Sequence, residues 1–282
     1  MDNYGHGVHL VGSSNSFVAF NNITGNFLCG VKMESSADNN LVQNNFVENN
    51  FEGISVDRSN FQLIQNNIVK GCGIVVEYSS NITLTGNAVT DSQNFGAHVY
   101  SSVCATVWGN LFSNHSKGIF VSNSEKTMIF QNNITRNEHG VDFKSASDTL
   151  MFENMVSGNE IGVLLTSDDS ENNTVWCNDF ADNTQQVLVD ASGARVFWNN
   201  ATKGNYWSDY QGTDNNSNGI GDNPYVIDQH NQDNYPIIEP LIIPEFSLWH
   251  IVLLFVLVSV VAVLLRAPVL KQQKISVFSP NT

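Results

Sequence analysis

The feature that most constrains this chain is a repeat of about 22 residues running from Gly7 to Ala201. Its first anchor is a glycine followed by a small or β-branched apolar residue: Gly7-Val8, Gly30-Val31, Gly53-Ile54, Gly73-Ile74, Gly96-Ala97, Gly118-Ile119, Gly140-Val141 and Gly162-Val163, ending in a degenerate Gln186-Val187. Its second anchor is an asparagine with an apolar residue two places on: Asn21/Ile23, Asn44/Phe46, Asn66/Ile68, Asn87/Val89, Asn110/Phe112, Asn132/Ile134, Asn154/Val156, Asn178/Phe180 and Asn199/Ala201. Between the anchors lie a polar corner, such as Ser79-Ser80, and a third apolar stretch, such as Thr127-Met128-Ile129. Each unit therefore offers three short strands with alternating faces, and a unit this small cannot bury its apolar side alone. Stacked in parallel about 4.8 Å apart, the units place Val, Ile and Phe in columns along one axis and pair each backbone group with a neighbouring coil. The spacing predicts an all-β, right-handed parallel β-helix of about nine coils. It puts Ile23, Phe46, Ile68, Val89, Phe112, Ile134, Val156 and Phe180 in one inward column. Asparagine suits the corners, because it tolerates left-handed backbone and its amide can bond to its copy in the next coil.

Composition narrows the partners. The 12 Lys and Arg against 27 Asp and Glu give a net charge of −15, which argues against nucleic acid, since binding there rests on basic side chains neutralising phosphates. A cation or a neutral glycan fits better. Cys29, Cys72, Cys104 and Cys177 show no CxxC pair and no zinc-finger spacing to His, so they read as buried thiols. The start Met1-Asp2-Asn3-Tyr4-Gly5-His6-Gly7 has neither a basic nor an apolar leader region, and the repeat begins at once; further natural sequence is expected upstream.

The period stops after Ala201. Aromatic residues in Gly204-Asn205-Tyr206-Trp207-Ser208-Asp209-Tyr210 are placed to cover the open end of the coils. Next comes a loop with oxygen side chains at alternate positions, Asp214, Asn216 and Asn218, then Gly219, the Ile220 carbonyl and Asp222. This matches the first nine positions of an EF-hand-type calcium loop, with Tyr225 where the bidentate Glu would stand. An Asn/Gly-rich turn that binds nothing is the alternative. Phe246 to Leu265 then carries no Asp, Glu, Lys or Arg, and at about 1.5 Å per residue it reaches across a bilayer. Arg266, Lys271 and Lys274 follow, which places the C-terminus in the cytoplasm and the repeats outside. The expected organisation is coils over 1–201, a cap with the calcium loop over 202–243, an anchor or sorting signal over 244–266 and a short cytoplasmic tail over 267–282.

With Val8, Leu10 and their copies pointing inward, two outward rows run along the first sheet. One reads His9, Lys32, Ser55, Val75, His98, Phe120, Asp142, Leu164 and Leu188; the other reads Val11, Glu34, Asp57, Glu77, Tyr100, Ser122, Lys144, Thr166 and Asp190. Glu34, Asp57 and Glu77 thus form a carboxylate ladder flanked by His98 and Tyr100. Like charges about 5 Å apart are costly unless they bind a cation or share a proton, both devices of glycan-cleaving sites. Catalytic candidates are therefore Glu34, Asp57, Glu77 and His98, with Lys32 the cation nearest them; a solvated acidic face is the bland alternative.

The Asn-anchored repeats, together with Gly204-Asn205-Tyr206-Trp207, the Asp214–Asp222 loop and Asp233-Asn234-Tyr235-Pro236, resemble the archaeal branch of the NosD family over nearly the whole chain. Pro244-Glu245-Phe246 resembles archaeal C-terminal sorting signals. The resemblance implies a pectin-lyase-like solenoid, shared with carbohydrate-binding and sugar-hydrolysing proteins, and a role in maturing the copper sites of nitrous oxide reductase. The reading that follows is a membrane-anchored, extracytoplasmic, non-catalytic protein that recognises polysaccharide or a cell-envelope protein. The alternative is a polysaccharide lyase or glycosidase using the ladder, and copper-site maturation is the third. Clustered Cys, Met and His would favour copper; Cys29 and Cys72 are expected on equivalent positions two coils apart, roughly 9–10 Å, too far to share a metal without help.

Overall fold

In the computed structural model, which describes residues 4–241, the chain winds into a parallel β-helix of eight complete coils and a less regular ninth. Three sheets of nine, eight and nine strands run its length. The first sheet is built, in order, from Val8–Val11, Cys29–Glu34, Glu52–Asp57, Ile74–Glu77, Phe95–Tyr100, Lys117–Ser122, His139–Lys144, Ile161–Leu165 and Gln185–Val189; these strands number the coils from one to nine. No helix occurs among the described residues, and the expected anchor and tail, 244–282, lie outside them.

Each coil turns at a buried asparagine. The Asn110 backbone N–H and side-chain amide both donate to Asn132 Oδ1, at 3.0 Å each, and Asn132 donates in the same way to Asn154 Oδ1. Asn132 Nδ2 also reaches the Val107 and Phe130 carbonyls, at 2.8 and 3.0 Å. The ladder runs Asn21, Asn45, Asn67, Asn87, Asn110, Asn132, Asn154, Asn178 and Asn205. Just before each of the first eight stands a residue in the left-handed region: Phe20, Asn44, Asn66, Gly86, Gly109, Gln131, Glu153 and Cys177, at φ of +51 to +63°. For a non-glycine residue this conformation costs about 1–2 kcal/mol, and the amide bonds of the next residue offset it.

This geometry corrects three positions of the expected anchor. In the doublets Asn44-Asn45 and Asn66-Asn67 the first asparagine makes the exposed left-handed bend and the second enters the ladder. The inward column is accordingly Ile23, Val47, Val69, Val89, Phe112, Ile134, Val156, Phe180 and Trp207, with Phe46 and Ile68 on the outer side. The ninth rung is Asn205, in Gly204-Asn205-Tyr206-Trp207, rather than Asn199; Tyr206–Trp207 pairs onto the third sheet.

A second ladder lies five residues further along each coil: Asn26 and Asn50 on one side, Asn137, Asn159 and Asn183 on the other. Cys72, Ser92 and His115 fill the rungs between. His115 Nδ1 accepts the Ser92 N–H at 3.1 Å, and its Nε2 lies 3.0 Å from the Val89 carbonyl, so a neutral imidazole does the work of an amide. Burial lowers its pKa. Cys72 is thus a ladder residue, and it is not the structural copy of Cys29, whose strand partner is Glu52.

The ladder ends on a buried carboxylate. Asp233 accepts from the Asn205 N–H at 2.7 Å, Trp207 Nε1 at 3.0 Å and the Tyr235 N–H at 2.9 Å. A Cβ on Gly204 would fall 1.8 Å from Asp233 Oδ1, so only glycine admits this approach. Trp207 and Trp198, both fully buried, close the core beside Phe180.

Inward and outward neighbours separate in a stability measurement. Val47→Ala is expected to lower stability by about 2 kcal/mol through loss of core volume, and Phe46→Ala by less than about 1 kcal/mol although it removes more atoms. Urea unfolding followed by circular dichroism checks this, and the opposite order would place Phe46 inside.

Candidate functional site

The coils are regular except at a few places. From each repeat glycine to the following ladder asparagine the count is 14 residues at Gly53, Gly73, Gly96, Gly118 and Gly140. From the second ladder to the next glycine it is three residues at Asn50, His115, Asn137 and Asn159, but one at Cys72, where Gly73 follows directly. Coil four is therefore two residues short, and the missing residues are those that would lie beside Glu52 and Phe95 on the outer face of the first sheet. Gly53 N–H donates to Gly73 O across the shortened turn, at 2.9 Å. This two-residue gap, the notch, lies beside Val75, which is itself buried at 6% exposure.

The two outward rows pair as the alternation predicts, so Glu34, Asp57, Glu77 and Tyr100 stand on successive coils beside Lys32, Ser55, Val75 and His98. The rigid strands bring a third row next to them: Cys29, Glu52, the gap, Phe95 and Lys117. Glu52, Arg58 and Lys117 were not evident from alternation alone. Glu52 and Lys117 sit on the far side of the repeat glycine, and Arg58 sits in the corner after the strand.

Charges on this face are largely paired. His9 Nε2 lies 2.9 Å from Glu34 Oε1, Arg58 reaches Asp57 Oδ2 at 2.6 Å, and Lys117 Nζ lies 2.5 Å from the buried Asp142 Oδ2 and 3.9 Å above the Phe120 ring. Lys32 Nζ donates to Ser55 Oγ at 3.0 Å, and Cys29 Sγ to Glu52 Oε2 at 3.3 Å. His98 stacks on Phe120, with centroids 4.6 Å apart, and its Nε2 lies 2.8 Å from Ser122 Oγ. Burial, with Lys117 nearby, pushes its pKa down to about 4, so it is neutral at pH 7. Two features stay open. Burial and then Glu52 push Glu77 upward, with Lys32 opposing, while Asp57 Oδ1 is buried and accepts no hydrogen bond. The face can thus offer a ligand acceptor oxygens, a carboxyl whose pKa burial raises and an aromatic shelf, all on fixed backbone.

The loop at the far end folds onto itself. Asp214 accepts the Asn218 and Gly219 N–H groups at 3.1 and 2.8 Å, Asn216 Oδ1 accepts Asn218 N–H, and Asn218 Oδ1 accepts Ile220 N–H at 2.8 Å. Asp222 Oδ2 holds the Asn215 N–H and side-chain amide.

Comparison with known proteins gives a consistent picture. The family described as periplasmic copper-binding protein (NosD) matches residues 1–117 and 52–212. Over 147 residues the chain is 29% identical to the probable ABC transporter binding protein NosD of Stutzerimonas stutzeri, which covers 52% of this chain and 32% of that one. Over 56 residues it is 45% identical to the protein of the same name in Pseudomonas aeruginosa, covering 20% and 13%. The matched parts thus span a third or less of these relatives. Among solved structures, the A-modules of the Azotobacter vinelandii mannuronan C-5 epimerases AlgE4 and AlgE6 each superpose with a TM-score of 0.58, at 18% and 17% identity. They cover 65% and 66% of this chain and 58% and 57% of theirs. At such identities the likeness concerns the fold alone.

Proposed function

The chain belongs to the family of periplasmic copper-binding proteins (NosD), and from that premise we propose that it is an extracytoplasmic binding protein that holds polysaccharide, or a polysaccharide-bearing envelope partner, against the notched face of its first sheet without cleaving it. The notch carries this reading, because the two-residue deletion falls where acids, amphipathic rings and hydroxyls meet on rigid strands. Pairing among the charges favours binding over turnover: Glu34 is engaged by His9, Asp57 by Arg58 and Lys117 by Asp142. A general base must be free to take a proton. Cleavage through Glu34, Asp57 and Glu77 is the second reading, favoured by the raised pKa of Glu77 and the unpartnered Asp57 Oδ1.

Copper does not fit the residues described. Copper favours thiolate, thioether or neutral imidazole ligands, but Cys29 donates its proton to Glu52 and its thiol is pushed up to about 12 by burial and that carboxylate. Cys72 is buried in a ladder, and Cys104 and Cys177 occupy left-handed corners on separate coils. Among the described residues no three His, Cys, Asp or Glu side chains gather as a metal group.

Purified full-length protein is expected to bind acidic or neutral polysaccharides on a glycan array and to release no reducing ends or unsaturated sugars from them. Glu77→Gln combined with His98→Ala should weaken that binding about tenfold. Turnover that disappears in Glu34→Gln or Asp57→Asn would establish the enzymatic reading instead.

The Asp214–Asp222 loop we assign as a weak calcium site, with ligands Asp214, Asn216, Asn218, the Ile220 carbonyl and Asp222. Support comes from hard oxygen donors gathered around Gly219, at φ +82°. A site with two carboxylates and no bidentate Glu should bind in the roughly 0.1–1 mM range of extracellular modules. Calcium at a hundredfold excess should raise stability by about 2.7 kcal/mol, and Asp214→Ala should abolish the rise. An unchanged melting temperature with calcium or EGTA marks the loop as a turn only.

The apolar stretch 246–265 is proposed to anchor the protein with its coils outside the cell, a reading that rests on its length and on Arg266, Lys271 and Lys274 after it. Deleting it should move the protein from the membrane fraction to the soluble one; retention on the membrane would put the anchor elsewhere.

A further inference from the structure

A second irregularity of the repeat lies at the other end of the rod. From Gly162 to Asn178 the count is 16 residues, two more than the regular coils. The surplus is confined to one corner: Leu165 still pairs with Phe143, 22 positions back, whereas Ala146 N–H already meets Ser170 Oγ, 24 positions ahead. The extra residues push out a loop whose tip, Asp168, accepts the Gly193 N–H at 2.7 Å. Facing it is the segment 230–234, fixed by Asn231, which accepts from Val196 N–H and Trp198 Nε1 and donates to the Ala194 carbonyl. These three segments enclose an open cavity of about 590 Å³, within the range of small-ligand sites.

The lining is chemically mixed in an informative way. Asp168 and Glu171 only accept hydrogen bonds, Arg195 only donates, and Asn172, Gln232 and Asn234 do both. Arg195 has no ion-pair or hydrogen-bond partner among the described residues, although two carboxylates line the same cavity. At the mouth stands Phe197. Its backbone is held by Asn173 O and Val175 N–H, at 2.9 and 2.7 Å, yet its side chain is 62% exposed. The aromatic rings on the outer face of the second sheet behave differently: Trp108, Phe130, Phe152 and Trp176 stack on one another at 4.8–5.9 Å and so cover each other's faces. The Phe197 ring has no such aromatic neighbour among the described residues.

We propose that this cavity is a saccharide site separate from the notch, taking one neutral pyranose residue of a glycan end-on. A ligand that satisfies the lining must donate and accept hydrogen bonds at several points around its rim and present an apolar face to Phe197. A pyranose does both, through its hydroxyls and its axial C–H groups. An anionic ligand would face Asp168 and Glu171, and a wholly apolar one would leave the lining's polar groups unpaired. Binding by the notch is neither required nor implied.

Titrating full-length protein with methyl glycosides of glucose, galactose, mannose and N-acetylglucosamine, and with methyl galacturonate, tests the assignment by saturation-transfer NMR and by Trp fluorescence. At least one neutral glycoside should bind at millimolar concentration, and Phe197→Ala should weaken it about tenfold with Phe197→Trp retaining it. Arg195→Ala, at an exposed unpaired side chain, should weaken it without moving the melting temperature. Glu77→Gln in the notch should leave it unchanged. The proposal is overturned if no neutral glycoside binds, if only the galacturonate binds, or if binding survives Phe197→Ala and Arg195→Ala; sensitivity to Glu77→Gln alone would assign the bound sugar to the notch.

Discussion

The amide-to-amide contact between successive asparagines is the interaction on which the rest of this molecule depends. A coil of about 22 residues has three bends, and at each the backbone must turn without leaving polar groups unpaired in the core. The ladder solves both needs with one residue type. Its side-chain oxygen takes two donors from the coil before, and its Nδ2 reaches back to carbonyls on the preceding strands, as at Asn132. Because each rung from Asn45 to Asn205 is both donor and acceptor, the bonds form a chain through the rod that ends where Asp233 supplies a terminal acceptor. The left-handed residues that precede the rungs are tolerated on this account, and so Glu153 or Cys177 can occupy a conformation that usually favours glycine.

A scaffold of this kind leaves a record of its exceptions. Side chains that pair in register force each coil to keep the length of its neighbour, so a coil that differs must put the difference where pairing is interrupted. The two residues absent after Cys72 open the notch in the first sheet, and the two gained between Thr166 and Ser170 raise the wall of the terminal cavity. Both lie at corners, and both change which outward side chains meet without disturbing the inward columns. Length variation in a solenoid is thus a means of shaping surface at little cost to the core.

The fold and both outward rows could be read from sequence because alternation in a strand is strict: once Val8 and Leu10 point inward, the faces of Glu34, Asp57 and Glu77 follow. The ladder register was harder. Where two asparagines are adjacent, either satisfies an asparagine-plus-two pattern, and Phe46 and Ile68 are as apolar as Val47 and Val69; only the backbone handedness of Asn44 and Asn66 distinguishes the bend from the rung. The second ladder escapes composition altogether, since Cys72, Ser92 and His115 share no side-chain type with asparagine. What they share is a polar atom able to meet the next coil, and a fixed offset of five residues from the first ladder was the available sign. Glu52, Arg58 and Lys117 are hidden because they lie beyond the repeat glycine and the corner, outside the stretch whose alternation places their neighbours.

Stacking also decides how a charged surface can exist on such a rod. Residues one coil apart are held about 5 Å apart whatever their sign, so acids placed in one column repel unless something in an adjacent column answers them. Here His9 answers Glu34, Arg58 answers Asp57, and Lys117 answers Asp142. Each pairing fixes two long side chains before any ligand arrives, which lowers the ordering cost of binding. The same pairing removes proton acceptors from use, and the His98 imidazole is engaged by Ser122. Preorganisation for contact and readiness for proton transfer therefore pull in opposite directions on this face, and the chain's pairing choices favour contact. Glu77 and Asp57 Oδ1 are the exceptions, and Glu77 stands on the coil that is two residues short.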